Sequence, residues 1–267
     1  MGVDIKSLKT RIKSVDSTLH LTKAMGLVAS AKIRSATIAM NKSREYSMAI
    51  DDTIAMLSSA KSCERSEYMR AGKNGKVCLI VVAGDRGLAG GYNSNIFKLA
   101  EAENAEKIIP VGKRTCERYG QEIVKTEGFS YDEAIVLAKT LCAEFKESKY
   151  EKVGIVSTKY ISMMTQTPTI DWVLPLEKTE RVSKADIIYE PDEKTILEAV
   201  IEEYIAGKIV AAAREGFACE VIARRFAMDN AGKNASEMIE DLTLEYNRAR
   251  QGAITQEITE IVAGSGA

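Results

Sequence analysis

Apolar and small side chains recur in alternating steps of three and four near the start of the chain: Ile5, Leu8, Ile12, Val15, Leu19, Thr22, Gly26, Ala29, Ile33, Ala36 and Met40. A seven-residue period held over about five repeats keeps one stripe facing a partner helix, so the pattern predicts a left-handed coiled coil over residues 3–57. Midway the stripe shrinks to Thr22, Gly26 and Ala29, a thin waist that gives up apolar burial, and a helical glycine costs about 1 kcal/mol against alanine. A second stripe closes the chain: Val221, Met228, Gly232, Ala235, Ile239, Leu242, Tyr246 and Ala249, again small in the middle, with Arg225 where an apolar residue is expected. No proline follows Pro191, so residues 195–263 read as one helix of about 100 Å. A globule of this length is roughly 45–50 Å across. The helix therefore needs a partner of similar length, and the N-terminal arm supplies it. Both arms leave the same middle segment, so they pair antiparallel. The C-terminal arm is longer by about ten residues, roughly 15 Å of helix. That overhang carries Ile254, Ile258, Ile261 and Val262, an apolar stripe of the kind that docks on another surface.

Between the arms the period changes. Residues 58–75 are polar and glycine-punctuated, a connection. Residues 76–83 (KVCLIVVA) are almost wholly apolar and β-branched, the mark of a parallel strand buried on both faces. A glycine-rich turn over 84–93 leads to a helix capped by Asn93 or Ser94 and running to about Glu106. A strand at 107–111, a short helix at 114–119, a weak strand at 122–126 and an amphipathic helix at 131–149 follow. Strands at 152–157 and 163–174 are close enough to pair antiparallel. Alternating strands and helices imply a small Rossmann-like α/β domain with a mostly parallel sheet, inserted into the coiled coil. The expected division is 1–60, N-terminal helix; 61–75, connection; 76–190, α/β domain; 191–267, C-terminal helix.

Composition adds little to this picture. With 45% hydrophobic residues a sizeable core is affordable in one or two domains. The net charge of −1 hides a segregation: Lys6, Lys9, Arg11, Lys13, Lys23, Lys32, Arg34, Lys42 and Arg44 face only Asp4 and Asp16 in the first 44 residues, while 129–151 and 190–203 are acidic. A basic stripe suits a nucleic acid, a membrane or an acidic protein surface, and its plain alternative is a solvated helix face. Five cysteines (Cys63, Cys78, Cys116, Cys142, Cys219) without a CxxC fit reduced thiols in a cytosolic compartment. The one histidine, His20, reads as an exposed helix residue. No run of about 18 apolar residues spans a bilayer, and the start MGVDIKSLK has neither a signal-peptide core nor a transit-peptide composition.

Gly84-Asp85-Arg86-Gly87-Leu88-Ala89-Gly90-Gly91 is the one enzyme-like feature, because a strand–glycine–helix turn is where α/β folds hold phosphates. Its spacing matches neither G-x-G-x-x-G nor a P-loop. Tight backbone geometry, with Asp85 and Arg86 paired locally, is the favoured reading. No carboxylate pair sits in an apolar context suited to acid–base chemistry; Glu257 and Glu260, one turn apart, read as solvated. Asn247-Arg248-Ala249-Arg250-Gln251 is a basic patch at the edge of the overhang; its plain reading is ordinary helix surface, its sharper one a set of donors aimed at a partner's carboxylates.

Three separated motifs resemble the gamma subunit family of F-type ATP synthases, bacterial type. They are Thr22-Lys23-Ala24-Met25 with Val28-Ala29-Ser30-Ala31-Lys32-Ile33-Arg34; Asp85 through Asn95; and Leu244-Glu245-Tyr246-Asn247-Arg248-Ala249-Arg250-Gln251 continued by Ile254 to Val262. They fall in the family's order and cover the whole chain. The resemblance implies a non-catalytic rotor shaft without cofactor or metal, coupling ion flow through a membrane c-ring to ATP synthesis or hydrolysis. Its implied partners are three alpha and three beta subunits, the epsilon subunit and the c-ring, at the cytoplasmic face of the membrane and without a span of its own. Lys23, Met25, Arg250, Gln251, Thr255 and Glu257 would meet the beta-subunit ring; Ile254, Ile258, Ile261 and Val262 would form the bearing tip; Tyr189, Glu190 and Asp192 would lie at the foot, near epsilon and the membrane ring. Two places depart from the family: Arg225 stands for a methionine, and Gly232-Lys233 for Thr-Asp. The cysteine-bearing insertion of chloroplast members is absent, so no thiol control is expected. Two readings from other classes compete. One is a nucleotide-binding α/β enzyme with a helical arm, resting on the glycine-rich loop. The other is an RNA-binding coiled coil resting on the basic stripe, which lacks the aromatics that base stacking needs.

Overall fold

The computed structural model describes residues 5–72, 75–122, 124–178 and 189–265. Helix α1 (Ile5–Ser59) and helix α5 (Glu193–Ser265) are each continuous. They run through both of the compact units into which the chain divides, one made of the residues up to 30 and from 224 onward, the other of residues 31–223.

The larger unit holds a four-stranded sheet: β1 (Val77–Val82), β2 (Lys107–Val111), β3 (Lys152–Tyr160) and β4 (Gln166–Leu174), in the order β2-β1-β3-β4. β1 pairs parallel with β2 and β3, and β4 runs antiparallel to β3. Because side chains alternate across a strand, Cys78, Ile80 and Val82 enter one core and Leu79, Val81 and Ala83 another. The first core is closed by helix α4 (Tyr131–Lys146) and by the inner stretches of α1 and α5, through Ile50, Ile54, Leu57, Leu197, Ile201 and Ile205. The second is closed by helix α2 (Tyr92–Ala102), through Tyr92, Ile96 and Ala100, with Cys219 of α5. A strand buried on both faces has no polar side to show, which is why 76–83 reads as an unbroken apolar run. Ser130 caps α4 in a reciprocal box with Glu133.

The fold class is the one read from the sequence, a mostly parallel α/β sheet between two long terminal helices, with several local corrections. No strand forms at 122–126 among the described residues (123 lies outside them); that segment is held by single bonds, Gly112 N–H to the Val124 carbonyl at 2.9 Å and the Thr126 hydroxyl to the Ala83 carbonyl at 2.7 Å. Helix α3 (Lys113–Tyr119) starts after Gly112, whose φ of 108° is closed to other residues; a Cβ there would stand 2.1 Å from the Ala83 carbonyl oxygen. Gly91, not Asn93 or Ser94, caps α2. β3 runs on to Tyr160, and β4 begins at Gln166 because Ser162 and Thr165 close the hairpin turn. The polar connection is more than a linker: two short 3₁₀ turns (Lys61–Arg65 and Glu67–Met69) bury Cys63 and Tyr68 in the first core.

Candidate functional site

In the smaller unit the two helices pair antiparallel. A Cβ on Gly26 would meet Met228 Cβ at 3.6 Å, and one on Gly232 would meet Thr22 Oγ1 at 3.6 Å. Leu8, Leu19, Thr22 and Ala29 of α1 and Met228, Ala235 and Leu242 of α5 are buried along this seam, and Ile5, Ile12, Val15, Ile239 and Tyr246 are half-buried. Both heptad stripes therefore meet as expected. The waist is roomier than a glycine waist suggests, since 3.6 Å is ordinary van der Waals contact for a methyl group. Arg225 explains the room. Its guanidinium lies over Gly26, donating to the Gly26 carbonyl (3.3 Å) and the Ser30 hydroxyl (2.8 Å), and pairs with Asp229 at 3.0 Å.

Carrying that register outward sets Ile5 across from about Ala249. Beyond it α5 faces no described residue of α1, and from 250 to 265 only Ala253 is even half-buried. Arg250, Gln251, Thr255 and Glu257 are exposed there, as are Ile254, Ile258, Ile261 (71% exposed) and Val262. Lys23 is exposed and Met25 half-buried on α1, beside exposed Leu21, Leu27 and Val28. The structure does not bring these two groups together, since about five helical turns separate them along the pair. His20 is an exposed helix residue 3.8 Å from Asp16.

The glycine-rich loop in the larger unit is spoken for by the protein itself. Glu220 of α5, 1% exposed, accepts from the backbone N–H of Asp85 and of Arg86, both at 3.1 Å. The Gly84 N–H goes to Asn93 Oδ1 at 2.9 Å. Amides that would cradle a phosphate thus already bind a buried carboxylate, and a phosphate there would meet that charge at close range. Gly84 is required because a Cβ would stand 2.7 Å from Glu220 Cδ. Asp85 does not turn to Arg86; its carboxylate gathers the N–H groups of Lys113, Thr126 and Glu127 at 2.8–3.0 Å. Tyr92 donates to the Gly216 carbonyl at 2.8 Å. The loop is a socket for α5.

Further ties bind α5 to this unit. Lys208, largely buried, lies 3.0 Å from both Asp51 of α1 and Asp171 of β4. Burial works against its charge, yet Asp171, Tyr204 and Asp51 together hold its pKa above the usual lysine range. Burial lifts the Asp51 carboxyl even so. Glu215 accepts from Arg44 and from the Tyr160 N–H, each at 2.7 Å, and Lys32 pairs with Glu127 at 2.6 Å. Two members of the basic stripe are thereby structural. Sequence reading missed Glu220, Glu215 and Lys208; the only signal was a charged residue interrupting a helix that is otherwise apolar nearly all round. Tyr189 packs against the first core and Glu190 is exposed. Asp192 caps α5, accepting from the Thr195 N–H and hydroxyl, and those bonds hold its carboxyl below the usual range.

No helix among the described residues is long and apolar enough to cross a membrane. A family model described as ATP synthase matches residues 4–267. Among relatives, the ATP synthase gamma chain of Ruminococcus albus is 38% identical over 280 residues, covering 98% of each chain. That of Moorella thermoacetica is 36% identical over 277 residues, again 98% of each. Among solved structures, a chain of the Euglena gracilis mitochondrial ATP synthase OSCP/F1/c-ring assembly matches at a TM-score of 0.68 with 17% identity, over 98% of this chain and 93% of that one. A chain of the rotor of the same enzyme matches at 0.64 with 15% identity, over 94% and 98%. The structural likeness speaks for the fold, and the end-to-end identity speaks for descent: this chain belongs to the ATP synthase gamma chain family.

Proposed function

We propose that this chain is the central-stalk rotor of an ATP synthase, a non-catalytic shaft that couples ion flow through a membrane c-ring to ATP synthesis or hydrolysis in a ring of alpha and beta subunits. The observation that carries this reading is the helix pair of the smaller unit, which continues on α5 into residues 250–265, a stretch that buries almost nothing yet carries Ile254, Ile258, Ile261 and Val262. An exposed apolar stripe on an ordered helix implies a surrounding surface, and a sleeve of weak contacts lets a shaft turn where deep side-chain locks would hold one orientation. In this role Lys23, Met25, Arg250, Gln251, Thr255 and Glu257 touch the beta subunits, the four apolar residues form the bearing, and Tyr189, Glu190 and Asp192 lie toward epsilon and the c-ring. Residues 1–60 and 191–267 serve as the coiled-coil arms, 61–75 as the connection and 76–190 as the inserted α/β domain. The chain then works at the cytoplasmic face of the membrane as a peripheral part of the complex.

The Glu220-filled loop supports the non-catalytic reading over a nucleotide-binding enzyme. A tagged chain expressed in its own cells should co-purify from membranes with alpha, beta and epsilon in fixed stoichiometry, and the isolated chain should bind no labelled ATP or NAD in equilibrium dialysis. Recovery of the chain alone, or tight nucleotide binding, would overturn the proposal.

A further inference from the structure

At its waist the seam of the helix pair is built from Thr22, Gly26 and Ala29 on one side and Met228, Gly232 and Ala235 on the other, all small but Met228. Small side chains interdigitate little, and an open groove of about 560 Å³ runs along the seam, lined by Thr22, Met228, Asp229, Gly232 and Ser236 among others. Apolar packing of this kind specifies axial register weakly, because a slip of one turn, about 5.4 Å, exchanges one small contact for another. Paired helices fix register instead with a polar residue at a seam position.

Arg225 stands at such a position and has the geometry for it. Its Nε pairs with Asp229 one turn on along α5, which aims the fork across the seam, and its Nη1 reaches the Gly26 carbonyl and the Ser30 hydroxyl of α1. Ser30 in turn donates to the Gly26 carbonyl at 3.0 Å, so both acceptors are fixed relative to each other. A planar guanidinium held at two points is directional in a way that an ammonium or a thioether is not. We propose that Arg225 sets the axial register of the two helices. Resting on the rotor reading above, this makes Arg225 a positioning residue for the shaft, keeping one helix from sliding along the other under load.

The test uses the full chain assembled with alpha and beta. Two cysteine pairs are compared under mild oxidation: Thr22→Cys with Gly232→Cys, which matches the observed register, and Thr18→Cys with Gly232→Cys, which matches a slip of one turn. All five native thiols are buried. With Arg225 present only the first pair should close. Arg225→Met should slow the first pair about fivefold and make the second detectable; Arg225→Lys should lie between, and Asp229→Asn, which leaves the arginine in place but unaimed, should follow Arg225→Met. Unchanged selectivity between the pairs in both Arg225→Met and Asp229→Asn would overturn the proposal. If the chain fails to assemble with alpha and beta, the rotor reading falls, while the same two pairs in the full chain alone still decide the register.

Discussion

Glycines that look alike in the sequence do different work, and a methyl group tells them apart. At Gly112, with φ at 108° and the Ala83 carbonyl oxygen 2.1 Å from any Cβ, Gly112→Ala should cost at least about 3 kcal/mol and lower the melting temperature of the α/β domain. At Gly207 a Cβ would meet the Tyr46 ring at 2.7 Å, closer than at any other glycine of α5. At Gly26 a Cβ would meet Met228, Arg225 and Asp229 at 3.6–3.9 Å, ordinary contact, so Gly26→Ala should stabilise the helix by about 1 kcal/mol in thermal unfolding; only larger side chains would displace Arg225. The cysteines make a second residue-scale case. Burial pushes the thiols of Cys78, Cys142 and Cys219 up to about 12. A disulfide reagent at pH 8 should label the native chain at least tenfold more slowly than the chain in denaturant. Because the unfolded chain releases those protons near the ordinary thiol pKa and the folded chain does not, stability should fall as pH rises above about 9.

At the scale of elements, the loop after β1 and helix α5 are one assembly. Glu220 accepts from two consecutive amides, and Asp85 joins that loop to α3 and to residues 126 and 127. Glu220→Ala would leave two part-buried amides without their carboxylate, at about 1 kcal/mol each, read as a lowered melting temperature and faster hydrogen exchange at Asp85 and Arg86. Glu220→Gln should do much the same, since an amide nitrogen would face one of the two donors. The motif Asp85 through Asn95 was visible as a family signature and as a tight turn, but its partner lay 135 residues away on a helix with no motif of its own. Likewise the capping role of Asp192 was hidden behind a proline that seemed only to end a domain, and Cys63 and Tyr68 sat in a segment too polar to suggest a core.

At the scale of the whole molecule, folding and assembly draw on different residues. Residues 250–265 bury almost nothing, so the triple change Ile254→Ser, Ile258→Ser and Ile261→Ser should leave the melting temperature of the isolated chain within about a degree. The same variant, assembled with alpha and beta, should couple ATP hydrolysis to ion pumping less well. A stability loss as large as that of Gly112→Ala would mean that the stretch packs against the chain itself.

The sequence by itself determined the two long helices, their antiparallel pairing and the sheet between them, because periodicity and the placement of prolines are local or additive signals that need no knowledge of neighbours. It also carried the family, through three motifs spread over the chain. Only the tertiary structure decided what the charges do. Whether a carboxylate such as Glu220 faces water or a pair of backbone amides, and whether Arg225 weakens a seam or staples it, depends on which distant groups come within about 3 Å, and a one-dimensional pattern does not record that distance.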